Sequence, residues 1–184
     1  MRYTQEHKTQ THQKIVEEAA ARFRRDGITA TGLQPLMKAL GLTHGGFYAH
    51  FKSKDDLVEQ ALHCAAEQLR TRVDELQATA NPLHAFIDLY LSATHRDHPE
   101  QGCPLPTLCA ELGQQGQPSA LTDQALGLRL AFIESQLQGP DASTRSLMML
   151  STMAGALMLA RSVQDPQLSE HILQTTAARL KREC

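Results

Sequence analysis

Residues 31–54, TGLQPLMKALGLTHGGFYAHFKSK, decide the fold that the rest of the chain has to support. Four apolar side chains in its first half recur at the spacing of one face of a two-turn helix, namely Leu33, Leu36, Met37 and Leu40. Gly41 follows directly and can adopt the left-handed conformation that ends a helix. Thr43 can then cap a second helix from His44 to about Phe51. The stretch therefore predicts a helix, a glycine turn and a second helix.

Two helices joined by so short a turn form a helix-turn-helix, whose second helix can lie in a DNA major groove about 12 Å wide. An ordinary helical hairpin is the alternative. The outward side chains of the second helix include no acidic residue: His44, Gly45, Gly46, Tyr48, His50 and Lys52, with Lys54 just beyond. Each glycine costs about 1 kcal/mol relative to alanine inside a helix. Their presence in the first turn indicates a backbone that another molecule, such as DNA, approaches closely.

The stretch resembles the TetR family of bacterial transcriptional regulators, through the apolar set of the first helix and through GLTHGGFYAHFKSKDDL, residues 41–57. The resemblance implies a homodimer that binds double-stranded DNA at a palindromic operator. It also implies which residues contact DNA: Thr31, Thr43, His44, Gly45, Tyr48, His50 and Lys54. Two positions depart from the family pattern. Gly32 stands where Thr or Ser is usual, and Pro35 is tolerable only if it lies in the first helical turn.

Charge is distributed unevenly along the chain. Residues 1–54 carry nine basic and four acidic residues, a net charge of +5, whereas the remainder carries nine basic and sixteen acidic residues, a net charge of −7. A basic end on an acidic protein suits a polyanion that binds at that end only. Chance clustering of the basic residues is the alternative.

Length and composition favour a helical protein. The chain has 184 residues, of which 41% are hydrophobic and only 4% aromatic, with no Trp. No strand-like alternation is present, so we expect an all-α protein of about nine helices, although the length alone allows one domain or two small ones. The predicted division is a three-helix DNA-binding head, residues 1–53, and a larger helical body for effector binding and dimerisation, residues 54–184.

Periodicity and capping signals place the other helices. The predicted ranges are residues 9 or 11 to 26, 54–76, 82–98, 105–113, 119–137, 141–164 and 167–182. The helix that begins at Ser119 carries two apolar stripes and is expected to be buried on most sides. The penultimate helix is apolar almost all round, so we expect a homodimer through residues 142–182, in which the last two helices pair with their copies as a four-helix bundle.

The sequence gives no support for a secreted or membrane protein, for an enzyme or for a metal-binding protein. The N-terminus has no apolar core of a signal peptide, and the longest apolar run, residues 147–160, is shorter than a membrane span, so we expect a cytoplasmic protein without membrane contact. No catalytic or cofactor motif occurs, which predicts no enzyme activity and no cofactor. His95, His98 and Cys103 could bind a metal in principle, but solvated histidines at a helix end are the preferred interpretation.

The predicted body should enclose an apolar effector pocket lined from Phe86, Tyr90, Cys103, Leu108, Cys109 and Leu128. Few charged residues fall on the inward faces, which indicates a mostly apolar effector. Cys103 precedes a short helix, where free N–H groups favour a thiolate, although Pro104 and Pro106 remove two donors. Residues 102–111, GCPLPTLCAE, also resemble the segment through which some TetR regulators sense electrophiles or oxidants. A small residue in the pocket wall is the alternative for Cys103, and Cys109 is expected in the core.

The sequence therefore predicts a DNA-binding transcriptional regulator, in particular a repressor that a small-molecule or thiol-reactive effector releases from its operator. The alternative is a helical ligand-binding or adaptor protein without DNA-binding activity.

Overall fold

The computed structural model describes residues 5–184, and within that range all regular secondary structure is helical. It contains nine α-helices: α1 Gln5–Asp26, α2 Leu33–Ala39, α3 Lys54–Leu76, α4 Pro82–Tyr90, α5 Ala93–Asp97, α6 Leu105–Gln115, α7 Ala120–Ser135, α8 Ala142–Ser162 and α9 Pro166–Lys181. Two 3-10 helices occupy His44–Ala49 and Pro99–Gln101. The all-α prediction is confirmed. None of the helices between residues 5 and 184 combines the length and the apolar character needed to cross a membrane.

The local signals that end and begin helices are where the sequence predicts them. Gly41 has a φ of +70°, the left-handed conformation expected after α2. Thr43 Oγ1 accepts a hydrogen bond from the Gly46 N–H at 3.2 Å, and Ser53 Oγ accepts one from the Asp56 N–H at 3.1 Å. Pro35 is the third residue of α2, so the donor it lacks would have no partner within the helix.

Four details differ from the sequence predictions. The second helix of the helix-turn-helix is a 3-10 helix, because two adjacent glycines disfavour the α-helix in so short a segment. The predicted helix over residues 82–98 breaks after Tyr90, where Ser92 Oγ caps a new helix by accepting from the His95 N–H at 3.0 Å. α1 begins at Gln5, earlier than predicted. In α7 only Arg129, Phe132 and Ile133 are buried, so its predicted burial on most sides is wrong for one chain.

Two hydrophobic clusters hold the helices together. The first joins α1, α2 and the 44–49 helix to the start of α3, through side chains such as Phe23, Leu36, Phe47 and Leu57. The second joins the rest of α3 to the helices that follow, as far as Leu180. Because α3 contributes to both clusters, the core of the head extends beyond residue 53. The division of the chain at residues 53 and 54 stays a prediction.

A carboxylate on α6 joins the body to the head. The side chain of Glu111 accepts hydrogen bonds from the backbone N–H groups of Ile28 and Thr29, each at 2.7 Å, and from the Thr29 hydroxyl. Thr107 of α6 adds a bond from its hydroxyl to the Arg24 carbonyl oxygen at 2.7 Å. We call this set of bonds the Glu111 bridge. It fixes the loop between α1 and α2 against the body.

A histidine fixes the other end of α6. One ring nitrogen of His95, Nδ1, lies 2.7 Å from the Tyr90 carbonyl oxygen, and Nε2 accepts from the Cys103 N–H at 3.0 Å. His95 must therefore be neutral with its proton on Nδ1, and burial lowers its pKa to about 4. Gly102 packs so closely that a Cβ there would lie 2.2 Å from the imidazole ring.

This contact predicts opposite effects for two glycine substitutions. Gly102→Ala has to displace His95 and break its bonds, so we expect the free energy of unfolding to fall by about 1–3 kcal/mol. Gly127→Ala is the matched control, because it lies inside α7 with nothing within 4 Å of the added Cβ, and it should raise stability by about 0.5–1 kcal/mol. Urea denaturation measures both. Equal stability of the two variants would contradict the packing described here.

The Glu111 bridge predicts a local effect on the head. Glu111→Ala leaves the half-buried Ile28 N–H and the exposed Thr29 N–H without their acceptor, so it should cost about 1–3 kcal/mol of stability and accelerate amide exchange at Ile28 and Thr29. Glu75→Ala removes an exposed carboxylate at the end of α3 and is the control. Amide exchange followed by NMR decides the matter: unchanged rates at Ile28 and Thr29 would show that the bridge does not hold the loop.

The bridge also predicts a pH dependence. Burial opposes ionisation of Glu111, but the hydrogen bonds from Thr29 and Ile28 prevail and lower its pKa. A carboxyl group with a lowered folded-state pKa stabilises the protein above its unfolded pKa, and the stabilisation is lost as the pH falls through the folded value. The stability difference between the parent and Glu111→Ala should therefore be full at pH 7 and shrink in acid below the ordinary carboxyl range.

Candidate nucleic-acid interface

The 44–49 helix presents a polar face to solvent while its other face anchors it. Phe47 is fully buried, and Tyr48 beside it is 63% exposed. The two rings meet edge to face with centroids 5.2 Å apart, which fixes the direction of Tyr48. Thr43, His44 and Gly45 are also exposed. These four predicted DNA contacts therefore form one surface.

The two glycines of this helix have different surroundings. A Cβ on Gly46 would lie 3.4 Å from Thr43 Oγ1, so the cap of the helix accounts for that glycine. A Cβ on Gly45 would meet nothing within 4 Å. Nothing in the described protein requires a glycine at position 45, whereas a molecule that approaches the backbone from outside would.

Thr31 does not belong to this surface, which corrects its predicted role as a DNA contact. Its side chain is buried, and its hydroxyl donates to the Gly27 carbonyl oxygen at 2.7 Å. The loop between α1 and α2 therefore uses Thr31 for its own hydrogen bonds. The Lys54 ammonium serves the same loop by donating to the Ile28 carbonyl oxygen at 2.7 Å. Lys54 is half-buried, and contact with a phosphate stays a prediction for it.

His50 lies at the edge of the face and is half-buried. Burial lowers its pKa, and the nearby positive charges of His12 and Lys8 lower it further, which favours a neutral ring. Its Nδ1 atom is buried and has no hydrogen-bond partner among residues 5–184. The structure thus leaves a polar atom of His50 unused at the rim of the predicted interface.

An open groove of about 560 Å³ runs beside the 44–49 helix. The start of α1 forms one wall through Lys8 and Thr11, and the turn around Thr43 and the residues as far as His50 form the other. Lys8 is not among the predicted contacts, because the sequence pattern places the start of α1 at residue 9 or 11. The earlier start of the helix brings a basic side chain into the groove that Thr43 and His50 also line.

The predicted effector residues do not line a single pocket. Phe86 and Tyr90 line a cavity of about 60 Å³ between α3, α4 and the segment that follows α4. Leu108 and Leu128 line a separate cavity of about 40 Å³ between α3, α6 and α7. Gly102 borders the first cavity and Pro104 the second, so Cys103 separates them. Both are smaller than the cavity of about 150 Å³ that holds benzene in a well-studied protein.

Both cysteines of this region differ from their predictions. Cys103 is only 2% exposed, and burial raises its pKa although the Leu105 N–H, Arg129 and Tyr90 favour the thiolate. The prediction that Cys103 favours the thiolate is therefore wrong, because the residue turns into the core ahead of α6. Cys109 was expected in the core but is exposed, since α6 directs Leu105 and Leu108 inward. Neither cavity is lined by Cys109.

The histidines predicted as possible metal ligands make other contacts in the structure. Both ring nitrogens of His95 are used within the fold, and His98 pairs with Glu100 at 3.3 Å. Over the described range, no three His, Cys, Asp or Glu side chains come together as a potential metal site.

Comparison with known proteins identifies the architecture. Residues 15–61 match the family model described as bacterial regulatory proteins, tetR family. Over 81 residues the chain is 32% identical to the HTH-type transcriptional repressor KstR2 of Mycobacterium tuberculosis, an alignment that covers 44% of this chain and 40% of that protein. It is 29% identical over 153 residues to the HTH-type transcriptional regulator TtgR of Pseudomonas putida, covering 76% of this chain and 72% of that protein.

The whole chain also superimposes on a known structure. A TetR transcriptional regulator from Chloroflexus aurantiacus has a TM-score of 0.79 and 26% identity, with 95% of this chain and 96% of that chain covered. The head matches the family model, and the body matches the remainder of the solved structure. Residues 15–61 thus match the TetR family of bacterial regulatory proteins, and the chain as a whole has the fold of a TetR transcriptional regulator.

Proposed function

We propose that the protein is a sequence-specific DNA-binding transcriptional regulator, and specifically a repressor, which binds a palindromic operator as a homodimer. The observation that carries the proposal is the surface formed by Thr43, His44, Gly45 and Tyr48. It is exposed, contains no acidic residue, and is held rigidly from behind by Phe47. Its relatives are described as HTH-type transcriptional regulators, and KstR2 is described as a repressor.

The roles of the contacts follow from their chemistry. Tyr48 can donate its hydroxyl to a phosphate, and Lys8 in the adjoining groove can neutralise one. Thr43 and His44 at the start of the helix reach first toward the base edges of a major groove. The uncovered backbone at Gly45 lets the helix approach the DNA without a side chain in between.

The proposed dimer uses residues 142–182. Large apolar side chains of α8 and α9 are exposed on the single chain: Leu147, Met148, Met158, Leu159 and Leu168. The two pairs on α8 are eleven residues apart, or about three helical turns, so they lie on one face. Pairing this face with its copy buries the exposed side chains in a four-helix bundle. The two 44–49 helices should then lie about 34–36 Å apart, to enter successive major grooves.

Release from DNA is proposed to begin at α6. The segment directly before this helix borders both cavities, through Gly102 and Pro104, and its Cys103 N–H is bonded to His95. Glu111, within the helix, holds the α1–α2 loop. A ligand that widens the cavities would displace α6 and, through the Glu111 bridge, change the orientation of the head. About 1–3 kcal/mol of preference for the displaced state would suffice for a response.

A reversibly bound ligand is favoured over thiol modification as the effector. Cys103 is buried with a raised pKa, and burial also raises the pKa of the exposed Cys109. Because the thiolate is the reactive form, neither residue is activated in this structure. A reagent such as N-ethylmaleimide should therefore release DNA slowly, and equally from the parent and from Cys103→Ser. Fast release that Cys103→Ser abolishes would establish thiol sensing instead.

Substitution of Tyr48 tests the interface. Tyr48→Ala should weaken binding to a palindromic fragment of the upstream region of its own gene by about fivefold or more, while the fold is kept because the side chain is exposed. His63→Ala, an exposed substitution on α3, is the control. Fluorescence anisotropy at several salt concentrations measures both. If the parent protein shows no salt-sensitive preference for the fragment, the regulator proposal is wrong and the adaptor alternative gains support.

A charge on α8 tests the dimer. Met148 is 63% exposed in the single chain, and Met148→Glu would bury an unpaired carboxylate in the proposed bundle. We expect a monomer by sedimentation and a loss of cooperative operator binding. Leu128→Glu is the matched control, because Leu128 is 41% exposed but lies on α7 and faces α3 across a cavity. A Met148→Glu protein that remains a dimer would place the interface elsewhere.

A further inference from the structure

Four arginines around Cys103 lack an acidic partner. Cys103 influences the pKa values of Arg24, Arg129 and Arg161, which places them within electrostatic range of its thiol. The fourth, Arg72, is exposed; it influences Arg24 and lines the larger of the two cavities. No carboxylate of the described residues forms an ion pair with any of the four. By contrast, six other arginines are ion-paired: Arg22, Arg25, Arg70, Arg96, Arg145 and Arg179.

Two of these arginines are almost fully buried. Arg129 is 3% exposed and has neither a hydrogen bond nor an ion pair within residues 5–184. Arg24 is 4% exposed, with one bond from its guanidinium to Gln68 Oε1 at 2.9 Å and with Nε unpaired. Burial lowers the pKa of both. Arginine is almost never fully buried unless it is paired, because the charge has to be taken out of water.

No internal anion is available to pair with them. The carboxylates that influence these arginines from a distance are already bonded elsewhere: Asp74 to Arg70, Asp97 to Arg96 and Glu100 to His98. The Cys103 thiol is neutral because burial raises its pKa. The Tyr90 hydroxyl adds a further donor, since it is buried beside the Cys103 thiol and has no oxygen or nitrogen acceptor in the part of the chain described.

We propose that the interior of the body at Cys103 is a binding site for the anionic group of a small organic acid, which is the effector. The carboxylate would lie among Arg129, Arg161 and the Tyr90 hydroxyl, and an apolar portion would occupy the cavity beside Leu69 and Phe86. Arg72 lines that cavity and meets the anion first. The link to DNA release rests on the proposed function, whereas binding itself does not.

Binding requires the interior to rearrange. The larger cavity measures about 60 Å³, and the segment of Gly102 and Cys103 separates it from the cavity beyond. The Tyr90 hydroxyl is sealed from solvent. In this proposal the anion reaches the Tyr90 hydroxyl when Cys103 beside it and the flanking residues 102–104 move, and these residues lead directly into α6. Occupation of the site and displacement of α6 are the same event in this proposal.

Three probes of one shape but different charge test the chemistry on the full chain. Benzoate, benzyl alcohol and benzylammonium are compared by calorimetry and by thermal melting. We expect benzoate to bind and to raise the melting temperature, benzyl alcohol to bind about tenfold more weakly or worse, and benzylammonium not to bind. Equal binding of the acid and the alcohol, or no binding of benzoate at millimolar concentrations, would overturn the proposal.

Arg129→Met removes the buried charge and keeps an unbranched apolar side chain. It should reduce the affinity for benzoate to that for benzyl alcohol, whereas the unliganded protein should melt no lower than the parent, because an unpaired buried charge is lost. Arg70→Met, which breaks the exposed ion pair with Glu67, is the control and should bind benzoate normally. Retention of the preference for benzoate in Arg129→Met would show that the arginines do not form the site.

A second variant and a second measurement keep the outcomes separate. If Arg129→Met does not fold, Tyr90→Phe removes the hydroxyl alone and should still weaken benzoate binding. Operator binding by the unliganded parent is measured on its own. Benzoate binding without operator binding would leave the anion site standing and reject the regulator, and operator binding without benzoate binding would do the reverse.

Discussion

The orientation of the head depends on one carboxylate, that of Glu111. The loop between α1 and α2 leaves the N–H groups of Ile28 and Thr29 without helical partners, and Glu111 accepts from both. Within the head, Thr31 and Lys54 satisfy the carbonyl oxygens of the same loop. Buried backbone groups need hydrogen-bond partners, so the α1–α2 loop has its N–H groups paired only when α6 packs against it. The head therefore takes its position from the body as well as from α3.

This arrangement gives α6 contacts with both functional regions. Its first residues follow Cys103, whose backbone N–H is fixed by His95, and Glu111 lies within the same helix. The eleven residues of α6 span about 16 Å as a rigid rod. A displacement of α6 at the cavities would therefore also move the α1–α2 loop, without a change in secondary structure. The coupling has a physical route through one element with bonded partners at each end.

The features that could be predicted from the sequence are those whose partners are close in the chain. Gly41, the Thr43 cap and the Ser53 cap depend on residues within three or four positions, and each lies where the local pattern predicts it. Glu111 and Ile28 are 83 positions apart, and no periodicity connects them. Cys103 and Cys109 were misplaced for a related reason. A helical pattern defines the face that a residue occupies, but the neighbouring helix determines whether that face is covered.

The sequence indicated an apolar interior because a helical pattern does not show which charged side chains the neighbouring helices cover. Arg129 lies among the apolar stripes of α7, and its isolation appears only when the surrounding helices show that no acid reaches it. A buried charge without a partner costs stability, and an anion bound beside Arg129 would offset that cost. In the proposed site, an anion that lies among Arg129, Arg161 and the Tyr90 hydroxyl requires residues 102–104 to move, and it would consequently bind the displaced state better than the resting one. That difference in affinity is what allows a ligand to shift the head at all.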